Sequence, residues 1–235
     1  YLGEGSDIAI IQLDAPVTNI QGFKLSTSND VGKSMLIMGY GSTTTGGSSV
    51  ESGWGDWGWG HYGYNVADVA VTTFDAAVYP GNGWSYYGNE YLFDFDNGLA
   101  ANNALGLMAN ATGDTWSSGL GLGANEALIA GGDSGGGDFV WNGSEWLVSG
   151  VHSYGYYSFC TSFGLSCDTS IGAGGVGGDW GNDTSFGDVS GSTAVFSHAA
   201  WINSIVPTPV PEPSSYALML LGLAGVGAIA RRRRV

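Results

Sequence analysis

Ser134 is the residue whose setting points most directly to chemistry. It lies in Gly131-Gly132-Asp133-Ser134-Gly135-Gly136-Gly137, between an apolar run, Ala127-Leu128-Ile129-Ala130, and a strand-like segment, Phe139-Val140-Trp141. Five glycines around one serine are costly in backbone entropy, so such a turn implies a chain path that side chains would block. That path exposes Ser134 Oγ and aims the N–H groups of Gly132 and Ser134 at one point, which is what acyl transfer requires of a nucleophile and its oxyanion site. In a chain with 42 glycines, a plain flexible turn is the competing account.

A serine nucleophile also needs a base and a group that orients the base. Asp7 opens Ile8-Ala9-Ile10-Ile11, which reads as a buried strand ended by Pro16. A carboxylate at the edge of a core needs a hydrogen-bonding partner, and an imidazole N–H suits it because the pair fixes the tautomer of a general base. Capping a turn through neighbouring backbone amides is the other use of Asp7. The three histidines each read as surface or packing residues: His61 in a Gly/Trp/Tyr/Ser-rich tract, His152 within a strand, and His198 near the terminal helix.

The elements that must position these groups are mostly strands. High Gly, Trp and Tyr with few Lys and Arg point to an all-β body with many turns, and 43% apolar residues suffice for its core. Strands are predicted at Met35–Met38, across Val66–Tyr79, at Tyr91–Asp96, after the serine loop, and from Glu145 to Gly155. Residues 46–64 are too poor in aliphatic side chains for an ordinary strand, and residues 97–127 show no period and read as a long loop. Thr193–Ile202 reads as a last strand running into a helix. Of the 21 acidic residues only Glu212 lies in the tail, and only Lys24 and Lys33 oppose the rest. Such a surface excludes nucleic acid and anionic lipid as partners.

Gly132-Asp133-Ser134-Gly135-Gly136 resembles the nucleophile loop of the chymotrypsin/trypsin-like serine peptidases. Ser6-Asp7-Ile8-Ala9-Ile10-Ile11-Gln12-Leu13 is similar to the segment carrying that family's orienting aspartate. Leu36 to Thr43, with Tyr40 in place of a tryptophan, and Leu147 to Gly155 resemble two of its strands. The resemblance implies an all-β, antiparallel double β-barrel with the first barrel incomplete, spanning residues 1–205. It implies peptide-bond hydrolysis through an acyl-enzyme, with Ser134 as nucleophile, Asp7 as orienting residue and the N–H groups of Gly132 and Ser134 as oxyanion donors. Asp133 would pair with a freed N-terminus. Ser153, Tyr154 and Gly155 would line the primary pocket over Leu128, whose apolar side chain favours apolar substrates. The family's base precedes its aspartate, and no histidine precedes Asp7, so the base is expected from a segment upstream of Tyr1. The alternative is a non-catalytic, peptidase-fold protein that binds or adheres at the cell surface through its aromatic insertions.

Cys160 and Cys167 are expected to form one disulfide in an exported chain. No metal site or cofactor is expected, although Asp179 and Asp183 lie in an acidic, Gly-rich stretch where calcium is the alternative to a solvated loop. Residues 206–213 form a Pro-rich linker. The segment 214–235 joins an apolar, helical run, 216–230, to Arg231–Arg234. Val210-Pro211-Glu212-Pro213-Ser214, the apolar run and the arginines together resemble the PEP-CTERM sorting signal of exported bacterial proteins. That resemblance implies passage through the inner membrane, an exosortase-type processing partner and a final place at the cell surface or outside it. A permanent single-span anchor is the alternative, and roughly 20 residues are usual for a span.

Overall fold

Burial alternates along β2 (Ser34–Gly39), β3 (His61–Val66) and β6 (Gly137–Trp141), whereas β5 (Glu90–Asp94) and β8 (Val189–Ala194) are buried throughout, and all the described strands assemble into one sheet. The strands are β1 (Lys24–Leu25), β2 (Ser34–Gly39), β3 (His61–Val66), β4 (Val69–Ala70), β5 (Glu90–Asp94), β6 (Gly137–Trp141), β7 (Trp146–Tyr156) and β8 (Val189–Ala194). They come from a computed structural model that describes residues 6–43, 59–81, 90–116, 119–156, 159–167, 186–206 and 220–224. The strand order is β3-β2-β6-β7-β8-β5-β4, with β1 added alongside β7. Every pairing is antiparallel except that of β1 with β7. The chain divides into two units, Tyr1–Ala199 and Ala200–Val235, and the sheet belongs to the first.

The sheet curls until its far strands meet. Asn65 Nδ2 on β3 donates to the Asp94 carbonyl on β5 at 2.8 Å, and the Asp68 N–H donates to the Leu92 carbonyl at 3.0 Å. Inside the curl lie Met35, Ile37, Tyr91, Phe93, Ile129 and Val140. A second apolar cluster joins Val69, Leu92 and Val189 to residues of three helices, α1 (Val71–Val78), α2 (Ala104–Thr112) and α3 (Phe159–Ser162). Tyr91 and Phe93 belong to the first cluster and Leu92 to the second, so β5 is buried on both faces. A further helix, α4 (Val195–Ile205), follows β8 directly.

Several elements depart from the expectations set by the sequence. Residues 8–13 are not a strand: Ile8 is buried, but Ile11 is 85% exposed, and no described strand runs beside them to complete a ladder. The strand expected across Val66–Tyr79 shrinks to β4 and gives way to α1, whose Val71, Phe74 and Val78 recur at helical spacing against the second cluster. The tract 46–64 ends in a true strand, β3, because aromatic Tyr62 and Tyr64 face outward while Gly63 and Asn65 are buried. The loop expected over 97–127 holds α2. Asn103 caps its start by accepting from Gly106 N–H at 2.6 Å, and left-handed Gly113 ends it. The strands expected at Met35–Met38, after the serine loop and over Glu145–Gly155 are present as β2, β6 and β7. The one expected over Tyr91–Asp96 runs from Glu90 to Asp94, and the strand and helix expected over Thr193–Ile202 divide earlier, at Ala194. The acidic positions Asp179 and Asp183 lie outside the described residues.

Candidate active site

The serine loop is the turn that feeds β6. Gly137 opens that strand opposite Val151 of β7, and Gly135 and Gly136 just before it lie across from His152. Three backbone bonds close the turn: Asp133 N–H to Ala130 O at 3.1 Å, Gly136 N–H to Asp133 O at 2.8 Å, and Gly135 N–H to His152 O at 3.0 Å. Gly132 has φ +96°, a conformation that side chains rarely adopt. Ser134 is exposed at the crest.

Two peptide planes in this turn are pinned from behind. The Gly131 carbonyl accepts from Ser42 N–H at 2.8 Å and from Ser42 Oγ at 3.2 Å. The Asp133 carbonyl accepts from Gly136 N–H at 2.8 Å and lies 3.1 Å from His152 Nδ1. In a trans peptide the C=O and the following N–H point in opposite directions, and no peptide bond here is cis. The N–H groups of Gly132 and Ser134 therefore face away from those anchors. Neither has a partner among the described residues. Both residues line a cavity of about 380 Å³ whose other walls include Phe23, Met38, Tyr40 and Phe139.

Asp133 is buried, and its carboxylate is filled from three sides. Oδ1 accepts from Gly41 N–H at 2.7 Å and lies 3.2 Å from His61 Nε2, while Oδ2 accepts from Ala130 N–H at 3.0 Å. The N-terminal amine expected to pair with it lies outside the described residues. His61, read from sequence as a surface or packing residue, is a half-buried partner of the serine loop. His152 is likewise more than packing. Its Nε2 lies 2.8 Å from Asp138 Oδ1, and both side chains are fully buried. Burial works against charging this ring, but the charge and hydrogen bond of Asp138, followed by the Asp133 carbonyl, hold its pKa above the usual imidazole range. Asp138 is a site residue that the sequence reading missed, and its only local signal is a carboxylate on an otherwise inward-facing strand position.

Asp7 is exposed and accepts from Ser153 Oγ at 2.9 Å, while its carbonyl accepts from Thr193 Oγ1 at 3.0 Å. Ser153 follows His152 on β7, and His152 O holds Gly135 of the serine loop. Asp7 and the loop are thus fastened to consecutive residues of one strand. No histidine among the described residues hydrogen-bonds to Ser134 or Asp7. The residues expected to form the primary pocket are not gathered in one cavity. Leu128 lines a cavity of about 200 Å³ with His61, Ala130 and Asp133, whereas Tyr154 lines another of about 430 Å³ with Phe74, Tyr79 and Phe159. Tyr154 also hydrogen-bonds the buried carboxyl of Glu90, which burial pushes up to about 7.

Away from the loop, three further buried carboxyls crowd the end of β5. Burial, and then the charge of Asp94, push Asp68 up to about 10 and Asp96 up to about 9. Asp94, raised to about 6 chiefly by burial, accepts from the Leu105 N–H that opens α2, at 2.9 Å. Cys160 and Cys167 form the expected disulfide. Among the described residues no group of three or more His, Cys, Asp or Glu could hold a metal ion.

Residues 209–234 match the PEP-CTERM protein-sorting motif. The match makes this stretch a sorting signal recognised by exosortase-type processing, and the chain an exported protein sorted by way of the membrane. Of the apolar run 216–230, only residues 220–224 are described, and they are helical and exposed. Among the described residues no helix is long and apolar enough to cross a membrane. A search of curated proteins finds no match to the chain.

Proposed function

We propose that this chain is the serine-bearing part of an exported endopeptidase of the chymotrypsin/trypsin-like kind, its curled sheet being the second of two barrels. The observation that carries the reading is the pairing of an exposed Ser134 with two pinned peptides whose N–H groups turn away from their anchors, beside an Asp7 fastened to the same strand. In the reaction Ser134 Oγ attacks the substrate carbonyl carbon, and an imidazole oriented by Asp7 takes the hydroxyl proton. The oxyanion is held by Gly132 and Ser134 N–H. The imidazolium then protonates the departing amine, and water, deprotonated by the same ring, releases the acyl group from Ser134. The imidazole is the group still to be supplied, since His61 and His152 are committed to Asp133 and Asp138. Phe23, Met38, Tyr40 and Phe139 beside Ser134 favour apolar substrate side chains.

The test is labelling of the full-length exported protein with a fluorophosphonate. Covalent modification that maps to Ser134 and vanishes in Ser134→Ala supports the hydrolase. An intact protein that resists the probe points instead to the second reading, a surface-binding or adhesion protein. That reading draws on exposed rings: Trp59 is 78%, Tyr62 70% and Tyr40 64% accessible.

A further inference from the structure

His152 lies against the back of the serine loop and clasps it with its main chain as well as its ring. The His152 N–H donates to Gly136 O at 2.9 Å, and its carbonyl accepts from Gly135 N–H at 3.0 Å. The ring spans two acceptors, the Asp133 carbonyl at Nδ1 (3.1 Å) and the Asp138 carboxylate at Nε2 (2.8 Å). With Asp138 ionised, its oxygen and the Asp133 carbonyl can only accept, so each ring nitrogen must bring a hydrogen and the ring is an imidazolium with Asp138 as its counter-ion. The upward pull on its pKa agrees with that geometry. Gly136 has no room for a Cβ because Nδ1 would lie 2.7 Å from it.

We propose that His152, doubly protonated against Asp138, is a positioning residue: its Nδ1–H anchors the Asp133 carbonyl so that the Ser134 N–H across the same peptide is presented to the oxyanion. This role rests on the hydrolase reading of Ser134. A neutral ring that keeps its hydrogen on Nε2 for Asp138 sets an Nδ1 lone pair against the Asp133 oxygen, and only Gly136 N–H then holds the peptide. The charged groups facing the ring are Asp138 from β6 and Asp133 from the loop, the latter bound in turn to His61 of β3. From β8 its register partner is the uncharged Ser192.

The experiment uses full-length protein with 15N-labelled histidine. At neutral pH wild-type His152 should show two exchange-protected ring N–H signals. Asp138→Asn should lose one of them and slow Ser134 acylation by a fluorophosphonate about 10²-fold, the loss expected for one oxyanion donor. His152→Asn, whose amide nitrogen can stand where Nδ1 stands, should keep acylation within about tenfold of wild type, while His152→Phe should lose as much as Asp138→Asn. A single ring proton in wild type, or acylation of Asp138→Asn at the wild-type rate, overturns the proposal, and the wild-type spectrum decides even if a variant fails to fold. A wild type that is never acylated yet shows both ring protons removes the hydrolase reading and with it the positioning role, and is distinguished by that spectrum from failure of the clasp itself.

Discussion

Ser153 Oγ donates to the Asp7 carboxylate at 2.9 Å across 146 positions of chain. That bond fixes one carboxylate oxygen of an otherwise exposed side chain, and on the proposed hydrolase reading the other orients an imidazole. Asp7→Asn is expected to lower turnover by about 10⁴-fold, because an amide cannot hold the productive tautomer. Ser153→Ala should cost less, about tenfold, and neither should change stability by more than about 1 kcal/mol at so exposed a site. Steady-state kinetics on the full-length protein, with melting curves alongside, check both. Equal activity of Asp7→Asn and wild type would remove Asp7 from the machinery.

Gly136 is the tightest point of the loop. A Cβ there would meet Met38 O at 2.6 Å, His152 Nδ1 at 2.7 Å and Asp133 O at 2.8 Å, two of which are backbone atoms that cannot swing aside. Gly136→Ala is expected to destabilise the fold by about 1–3 kcal/mol through overpacking and to abolish acylation of Ser134. Urea unfolding reads the first effect and probe labelling the second. A stable, fully labelled variant would mean that the loop is held less rigidly than these distances imply.

Acid should stabilise this protein. Burial raises Asp94 to about 6, and burial together with the charge of Asp94 raises Asp68 to about 10 and Asp96 to about 9, against an ordinary range near 4 in the unfolded chain. The unfolded chain therefore gives up their protons first. The stability they contribute is complete below about pH 4 and drains as pH rises through the raised values, at up to about 1.4 kcal/mol per pH unit for each proton. His152, also raised, pulls in the same direction. The melting temperature should be higher at pH 5 than at pH 8, and Asp68→Asn should flatten that dependence. A melting temperature that climbs from pH 5 to pH 8 in wild type would falsify the shared burial.

The disulfide joins Cys160 of α3 to Cys167, seven positions on, and closes the short loop that begins beside Phe159 and carries Phe163. Phe159 and Phe163 each lie 5.8 Å from Phe74, which is itself 6.0 Å from Trp116. Opening so short a loop should cost about 2 kcal/mol. The Cys160→Ser, Cys167→Ser double variant should accordingly melt about 4–8 °C lower, with a change in Trp116 fluorescence. Unchanged fluorescence would mean that the aromatic cluster stands without the bridge.

Processing of the tail should depend on the Pro-rich entry to the matched motif, residues 209–234. Replacing Pro211, Glu212 and Pro213 by alanine is expected to leave a full-length, cell-retained precursor, visible by mass spectrometry of the membrane fraction. Normal release of that variant would show that sorting does not read those residues.

The amino-acid sequence by itself determined what short stretches of chain can do. Seven residues rich in glycine specify a turn that exposes Ser134, because no neighbouring side chain can occupy the path. Aromatic and β-branched residues specify β6 and β7, the cysteine pair a short covalent loop, and residues 209–234 a sorting signal. The tertiary structure alone decided which groups meet. His61 and His152 sit in unremarkable local contexts: the carboxylate partner of the first is 72 positions away in the serine loop, and that of the second is set by the pairing of β6 with β7. α1 and α2 were hidden because their apolar faces find their partners only in the tertiary structure, in the second apolar cluster, and residues 8–13 join no strand ladder among the described residues. Side-chain pairing and ionisation depend on burial and proximity, which a linear pattern does not encode. For that reason the glycine-rich turn and its exposed serine could be read in advance, while the groups that hold the loop in shape could not.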